Sequence, residues 1–423
     1  MILRAVVTVA LVALVIALPA SAQTLDEAFA LAREKNPDLA ALAPAEDAAD
    51  APLAQARSAR LPQVTAEGQY SYATIDYGNG PFGFGEQDVE PRSARIAAEQ
   101  LVFAGGRVNS SVRTAKAAYR SAQHASQDVE ARLMAAVARV YLSVHIAQSA
   151  VDLRTANLTA LAEFQRQTAA RFQSGEVARS DVALSDARLA GAEAELARAR
   201  ADQSAAQFAF ERVVGVKPGA LSPTHQSPTT PDELEDALTM AHASSPFLAL
   251  RREAEDAAKA SVGVARAQRF PTVSVGVEAS SIRDEFLLGY EADSVAVVAR
   301  ARMPLFTGGR IGAEVREAKA KAQEASAARR SAELAIDDEV ARAFTRHRAA
   351  LDQRNAAERQ AAASRIALDD IRLEVKAGAR PILDGLDAER DDLAARLQLD
   401  QAKADVMTTA YDLIAAIGVT PTN

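Results

Sequence analysis

The spacing of hydrophobic positions along the chain changes in a fixed order, and that order occurs twice. Residues 26–58 and 234–268 carry apolar side chains at helical spacing, and each segment stops just before a proline, at Leu61-Pro62 and Phe270-Pro271. A helix is expected over each. The period then falls to two. Val273, Val275, Val277 and Ala279 alternate with Thr272, Ser274, Glu278 and Ser280, and Val64, Ala66, Tyr70 and Tyr72 alternate with Gln63, Thr65, Glu67, Gln69 and Ser71. Strands are expected at about 63–73, 93–103, 272–281 and 293–306. In the last of these, Val295, Val297, Ala299, Ala301 and Met303 stand opposite Arg300 and Arg302. Helical patterning resumes over about 109–172 and 311–376, where 64 and 66 residues at 1.5 Å each would reach roughly 100 Å. Return helices follow at about 178–214 and 381–417. Alanine-rich helices of that length need neighbours, as in a bundle or coiled coil.

The two passes are copies of one plan. Thr24-Leu25-Asp26-Glu27-Ala28 and Asp232-Glu233-Leu234-Glu235-Asp236-Ala237 both read as capped helix openings. Leu25 and Leu234, Pro37 and Pro246, and Pro62 and Pro271 are each separated by 209 residues. Phe103-Ala104-Gly105-Gly106-Arg107 and Phe306-Thr307-Gly308-Gly309-Arg310 are separated by 203, as are Gly175 and Gly378, Asp181 and Asp384, and Gly215 and Gly418. The six-residue difference falls on Gly78–Gly85, a Gly/Pro-rich stretch of the first copy, and insertions of this kind collect in exposed loops. The expected division is a signal peptide at 1–22, a first repeat at 23–215, a linker at 216–231, a second repeat at 232–418 and a tail at 419–423. Gly105-Gly106 and Gly308-Gly309 supply backbone freedom where strand becomes helix. Gly175 and Gly378 are candidate helix stops, and Pro381 suits the start of the return helix.

Composition narrows the class. The chain has 423 residues, 49% of them hydrophobic but only 5% aromatic, with no tryptophan. So few bulky pieces argue for a slender helical assembly over one deep globular core. A net charge of -8 argues against wrapping nucleic acid, and the absence of cysteine excludes disulfides, thiolate metal sites and cysteine nucleophiles. Arg4, the apolar run Ala5–Leu18, Pro19 and Ala20-Ser21-Ala22 have the order of a secretory signal cleaved after Ala22; a retained anchor is the alternative, disfavoured by the run's length. With Gln23 next and no cysteine, no lipid-attachment motif is expected. No other run reads as a transmembrane helix, so any membrane passage would use strands of a closed barrel, which two hairpins cannot complete without further chains. Four strands of a soluble sandwich are the competing reading.

These features together resemble the TolC family of bacterial outer-membrane efflux proteins over essentially the whole mature chain. The resemblance rests on the two helix openings, Leu61-Pro62 and Phe270-Pro271, the two Phe-x-Gly-Gly-Arg junctions, and Gly378 through Pro381-Ile382-Leu383-Asp384-Gly385-Leu386-Asp387-Ala388. It implies a mainly α fold with a β-barrel part: a homotrimer in which each chain gives four strands to a twelve-stranded outer-membrane barrel, continued by a long periplasmic helical barrel. It further implies a periplasmic adaptor and an inner-membrane transporter of the RND or ABC type as partners. The strand patterning makes Thr65, Glu67, Gln69, Ser274, Glu278, Arg300 and Arg302 lumen candidates, either as a filter or as plain solvation of a broad pore. The resemblance places Asp384 and Asp387 at the periplasmic entrance, where three copies would gather six carboxylates into an acidic mouth; Arg380 is either its brace through an ion pair or a solvated arginine near the turn. The plainer reading is that both aspartates answer the positive end of a helix. The aromatic residue that some members carry just before the equivalent glycine is absent, since the chain reads Leu373-Glu374-Val375-Lys376-Ala377. In the first copy Asp181 matches Asp384 but Leu184 replaces the second aspartate, which makes the second hairpin tip the better gate.

Enzymatic chemistry has little footing. The five histidines are dispersed, and there is no His-Glu-x-x-His zinc motif, nucleophile elbow or phosphate-binding loop, so no cofactor, metal or catalytic residue is expected. With no nucleotide site, energy would come from partners. A periplasmic adaptor or scaffold of helical hairpins is the main alternative, though it would not need four alternating strands. Drugs, metals and proteins all remain open as cargo.

Overall fold

The computed structural model describes residues 23–76, 78, 85–222, 227–285 and 289–419. The signal segment, most of the Gly78–Gly85 loop with Phe82 and Phe84, Phe286 and residues 420–423 lie outside the described residues. The first copy runs α1 (Leu25–Lys35), α2 (Pro37–Ala40), α3 (Leu42–Ser58), β1 (Gln63–Tyr70), β2 (Ala73–Asp76), β3 (Glu86–Val89), β4 (Arg92–Phe103), α4 (Arg107–Gln173) and α5 (Arg179–Val214). The second runs α6 (Leu234–Ser244), α7 (Pro246–Ala267), β5 (Thr272–Arg283), β6 (Glu291–Arg302), α8 (Arg310–Lys376) and α9 (Ile382–Ile417). The long helices α4 and α8 have 67 residues each, and α5 and α9 have 36 each.

The single helices expected over 26–58 and 234–268 are both broken, at Asn36-Pro37 and at Ser245-Pro246. A proline ring drives the preceding residue out of the helical region, and Asn36 accordingly sits at φ -72°, ψ 124° and Ser245 at φ -61°, ψ 115°. Each then caps the next helix: Asn36 Oδ1 accepts from Asp38 N at 2.8 Å, and Ser245 Oγ accepts from Leu248 N at 3.3 Å. The two openings also differ. Thr24 and Glu27 form a true capping box, with reciprocal bonds of 3.2 and 3.1 Å, whereas α6 begins at Glu233 with no side-chain cap. Glutamate is too long to return its carboxylate to its own first turn, so the second opening keeps the charge without the box.

Four strands form one antiparallel sheet in the order β1-β4-β5-β6, leaving an outer edge on β1 and on β6. The stretch expected as one strand at 63–73 breaks after Tyr70, and β2 instead pairs with β3 in a separate two-stranded ribbon. The last strand stops at Arg302 rather than 306, two residues before Pro304, which offers no ladder donor. Both hairpins keep one register under the repeat offsets. Ala66 faces Ile96 in the first, and Val275 faces Ala299 in the second.

The helices pack around two related cores midway along the molecule. In one, Ala28 and Ala32 of α1 meet Val137 and Tyr141 of α4 and Phe210 and Val214 of α5. In the other, Ala237 and Ala241 of α6 meet Val340 of α8 and Leu413 and Ile417 of α9, with Phe344 packed beside them. Each residue of the second set lies 209 or 203 positions after its counterpart. Small alanines on the short helices let the long ones approach closely. Contrary to the expectation of no further span, α4 contains a stretch whose mean hydropathy reaches 1.2, enough by length and composition to cross a membrane. Its apolar residues Met134, Val137, Ala138 and Tyr141 are instead those buried in the first core.

Candidate functional site

Strand alternation fixes what each face of the sheet presents. On one face the rows read Thr65, Ala97, Glu278, Ala296 and Glu67, Arg95, Ser280, Ser294; on the other they read Ala66, Ile96, Ala279, Val295 and Val64, Ala98, Val277, Val297. All seven lumen candidates, Thr65, Glu67, Gln69, Ser274, Glu278, Arg300 and Arg302, therefore share the polar face. The apolar face is bare, with Val64 70% exposed and Val295 and Val297 each 78% exposed. Tyr70, Tyr72 and Tyr290 lie exposed toward the end of the sheet remote from the helices.

The polar face is a connected set of charges. Glu278 lies at the centre, with Arg95 Nη2 2.7 Å from its Oε2 and Arg300 on its other oxygen, and Arg300 also reaches Glu99 at 3.8 Å. Arg95 and Glu99 were not among the residues singled out from sequence. Strand β4 alternates Arg95, Ala97 and Glu99 with Ala94, Ile96 and Ala98, a period-two signal diluted by small alanines on both faces. Opposite charges interleave across neighbouring strands, so this face is charged without presenting one sign.

At the opposite end of the molecule, Gly378 at φ 74° closes α8 and Pro381 opens α9. The two tips are built differently. In the first, Asp181 Oδ2 accepts from Ala178 N at 3.1 Å, satisfying one free donor at its own helix start. In the second, the matching position is Pro381, which has no N–H to donate, and no side-chain cap is made there. Asp384 turns instead toward Arg380, whose Nη1 lies 3.8 Å from its Oδ2 while Nε lies 2.5 Å from Glu374. Asp387 Oδ1 accepts from Arg188 Nη2 of α5 at 2.9 Å, with Arg390 at 3.6 Å. The two aspartates are thus individually paired within one chain and not a bare acidic couple. Arg188, which ties one hairpin to the other, could have been sought in the sequence only by aligning α5 against α9, and nothing in its local context distinguishes it. Beneath these charges, Gly385 is buried beside Val375 of α8 and Phe164 of α4, and Leu161, Ala192 and Leu386 close a small apolar cluster.

Among the described residues, no group of three His, Asp or Glu side chains is placed to hold a metal ion. The sheet has one polar and one apolar face and is carried on helices of 67 residues. A profile of the family described as "Outer membrane efflux protein" matches residues 28–216 and 237–419. The chain belongs to the outer membrane efflux protein family. The chain is 30% identical over 411 residues to the outer membrane efflux protein BepC of Brucella suis, covering 94% of this chain and 86% of that one. It is 26% identical over 410 residues to the alkaline protease secretion protein AprF of Pseudomonas aeruginosa, covering 90% and 82%. The crystal structure of the outer membrane protein VceC of Vibrio cholerae superposes with a TM-score of 0.80 at 19% identity, covering 93% of this chain and 96% of that one. The fold is TolC-like, and this member of the efflux family is an outer-membrane exit channel. Its family is one of channels and not of enzymes.

Proposed function

We propose that three copies of this chain form a trimeric exit duct, its twelve-stranded barrel in the outer membrane and its helical hairpins extending through the periplasm to an entrance at the α8–α9 tips. The observation that carries this reading is the open sheet. Among the described residues its two edges are unpaired and its apolar face is exposed, an arrangement that closure with further copies in lipid would satisfy. The N-terminal segment directs export and is removed after Ala22. A periplasmic adaptor and an inner-membrane transporter of the RND or ABC type supply cargo and energy, and the barrel is held by outer-membrane lipid without an acyl anchor. At the entrance, Asp384, Asp387 and Arg380 act with Arg188 and Glu374, each carboxylate held near a guanidinium while the mouth is closed. Opening separates the hairpins, loosens Arg188 from Asp387 and leaves carboxylates facing the passage, where they favour cations.

Conductance of the purified protein in planar bilayers tests this directly. The wild type is expected to form lasting pores, and Asp384→Ala/Asp387→Ala to reduce their cation preference. Failure of the wild type to insert would sink the duct, whereas insertion with an unchanged double mutant would remove only the assigned gate.

A further inference from the structure

The repeat carries more than the fold, because contacts between the two copies inside one chain recur as contacts between chains when copies alternate around a ring. Within the chain, β4 of the first copy pairs with β5 of the second. The next such junction in a ring of alternating copies is β6 of one protomer against β1 of its neighbour, and among the described residues both of these edges are free. The hairpins already show that offsets of 209 for the outgoing strand and 203 for the returning strand conserve register, since Gln63↔Glu99 becomes Thr272↔Arg302.

Applying the same offsets to the β4–β5 ladder gives the missing seam. Glu99 faces Gly276 within the chain; Glu99 advanced by 203 is Arg302, and Gly276 moved back by 209 is Glu67. Resting on the trimer proposed above, we infer that Arg302 of each protomer lies directly opposite Glu67 of the next, closing the barrel with an intersubunit ion pair on its polar face. By the same rule Arg300 falls opposite Gln69, and Ala299 opposite Tyr70 on the outer face.

Four features agree. Arg302 and Glu67 are both exposed, and among the described residues neither joins an ion pair within its own chain, while Arg95, Glu99, Glu278 and Arg300 of the same face all do. The offsets were fixed by prolines and glycines, yet they bring together opposite charges. The strand–helix junction repeats the argument. Gly105 at φ 58° packs so tightly on Phe270 that a Cβ would come within 2.5 Å of it, whereas Gly308 at φ 59° has nothing within 4 Å. The counterpart of Phe270 is Leu61, 62% exposed and waiting on the β1 edge for the Gly308 of a neighbour. Pro304 fits as well, because it stands where β4 has Leu101, the point at which the intrachain ladder shifts through an irregularity and a donor can be spared.

The chain contains no cysteine, so engineered pairs report without background. Residues directly opposed in an antiparallel ladder have Cα atoms about 4.5–5.5 Å apart, within disulfide reach, and a shift of two residues moves them to about 7–8 Å. In full-length protein assembled in outer membranes, Glu67→Cys/Arg302→Cys is expected to oxidise to covalent trimers on denaturing gels. The shifted pairs Thr65→Cys/Arg302→Cys and Gln69→Cys/Arg302→Cys are expected to give little. Preferential linking of either shifted pair, or no linking of any pair in a protein that light scattering shows to be trimeric, would overturn the register while leaving the trimer intact. A monomer that never links would overturn both. Charge exchange gives a second reading without cysteines. Glu67→Arg and Arg302→Glu should each lower the temperature at which trimers dissociate in detergent, and Glu67→Arg/Arg302→Glu should restore it. A double variant no better than the singles would also overturn the pairing.

Discussion

His347 is the side chain whose environment most clearly sets a pH response. It is 4% exposed in α8, with Nδ1 3.1 Å from Thr409 Oγ1 and Nε2 3.3 Å from Thr230 Oγ1. Burial pushes its pKa below the usual 6.5, with nearby Arg348 adding to the effect and the Val406 carbonyl opposing it. The unfolded chain therefore binds a proton that the folded chain refuses. The stability associated with neutral His347 is complete above pH 6.5 and is lost as pH falls from there through the depressed folded value. The slope from this one group reaches at most about 1.4 kcal/mol per pH unit. Thermal unfolding followed by circular dichroism should show a fall in Tm below pH 6.5 that His347→Gln, which keeps polar contacts to both threonines but does not titrate, makes shallower. An identical pH profile for the variant would show that other groups set the acid response.

At the scale of elements, the strand-to-helix junctions are where backbone and packing demands coincide. Gly105 adopts φ 58° and lies against Phe270 with no room for a methyl group. Gly105→Ala should therefore cost both left-handed strain, on the order of 1 kcal/mol, and a steric displacement of Phe270. Because the nearest atom is the Phe270 Cβ itself, only Phe270→Gly, and not Phe270→Ala, should relieve the second cost when combined with it, leaving the first. Trimer yield from membranes is then expected to fall in Gly105→Ala and to recover only in part in the pair; full recovery would mean that the glycine is needed for space alone. This junction was legible in the sequence because glycine pairs and prolines mark backbone singularities that few other residues tolerate. The same prolines misled at Pro37 and Pro246, where they served as repeat markers but also break helices that the apolar spacing alone joined together. The extra ribbon β2–β3 was not legible either, since Ala73–Asp76 and Glu86–Val89 are four residues each, too short for alternation to stand out. The outward and inward faces of β1, β5 and β6 could be read because bulky Val and charged side chains alternate there. Arg95 and Glu99 were hidden by the alanines of β4.

The whole molecule is a repeat whose two ends depart from symmetry to different degrees. At the sheet, both hairpins share one register and the charges balance across strands. At the helical tips, a single change from Ala178 to Pro381 in matching positions diverts the matching aspartates to different partners. The ion pair between Arg188 and Asp387 then links the two hairpins, an attachment with no counterpart at the first tip, where Leu184 stands in place of Asp387. These inequivalent tips make a prediction that separates stability from gating. Asp181→Ala should remove one capping bond and the favourable charge at a helix start, lowering stability by about 0.3–1 kcal/mol while leaving conductance unchanged. Arg188→Ala should cost a similar amount, since its pair with Asp387 is half-exposed and salt-screened, about 0.2–1 kcal/mol. Its effect on the pore should be larger, because it removes the charged link between the hairpins and leaves Asp387 with only Arg390 on its own helix. Single-channel recording is expected to show longer or more frequent openings for Arg188→Ala than for the wild type or Asp181→Ala, with the difference shrinking as salt rises and screens the wild-type pair. Equal gating in the two variants would place the control of the entrance outside this ion pair and return Asp384 and Asp387 to the plainer role of charges at a helix N-terminus.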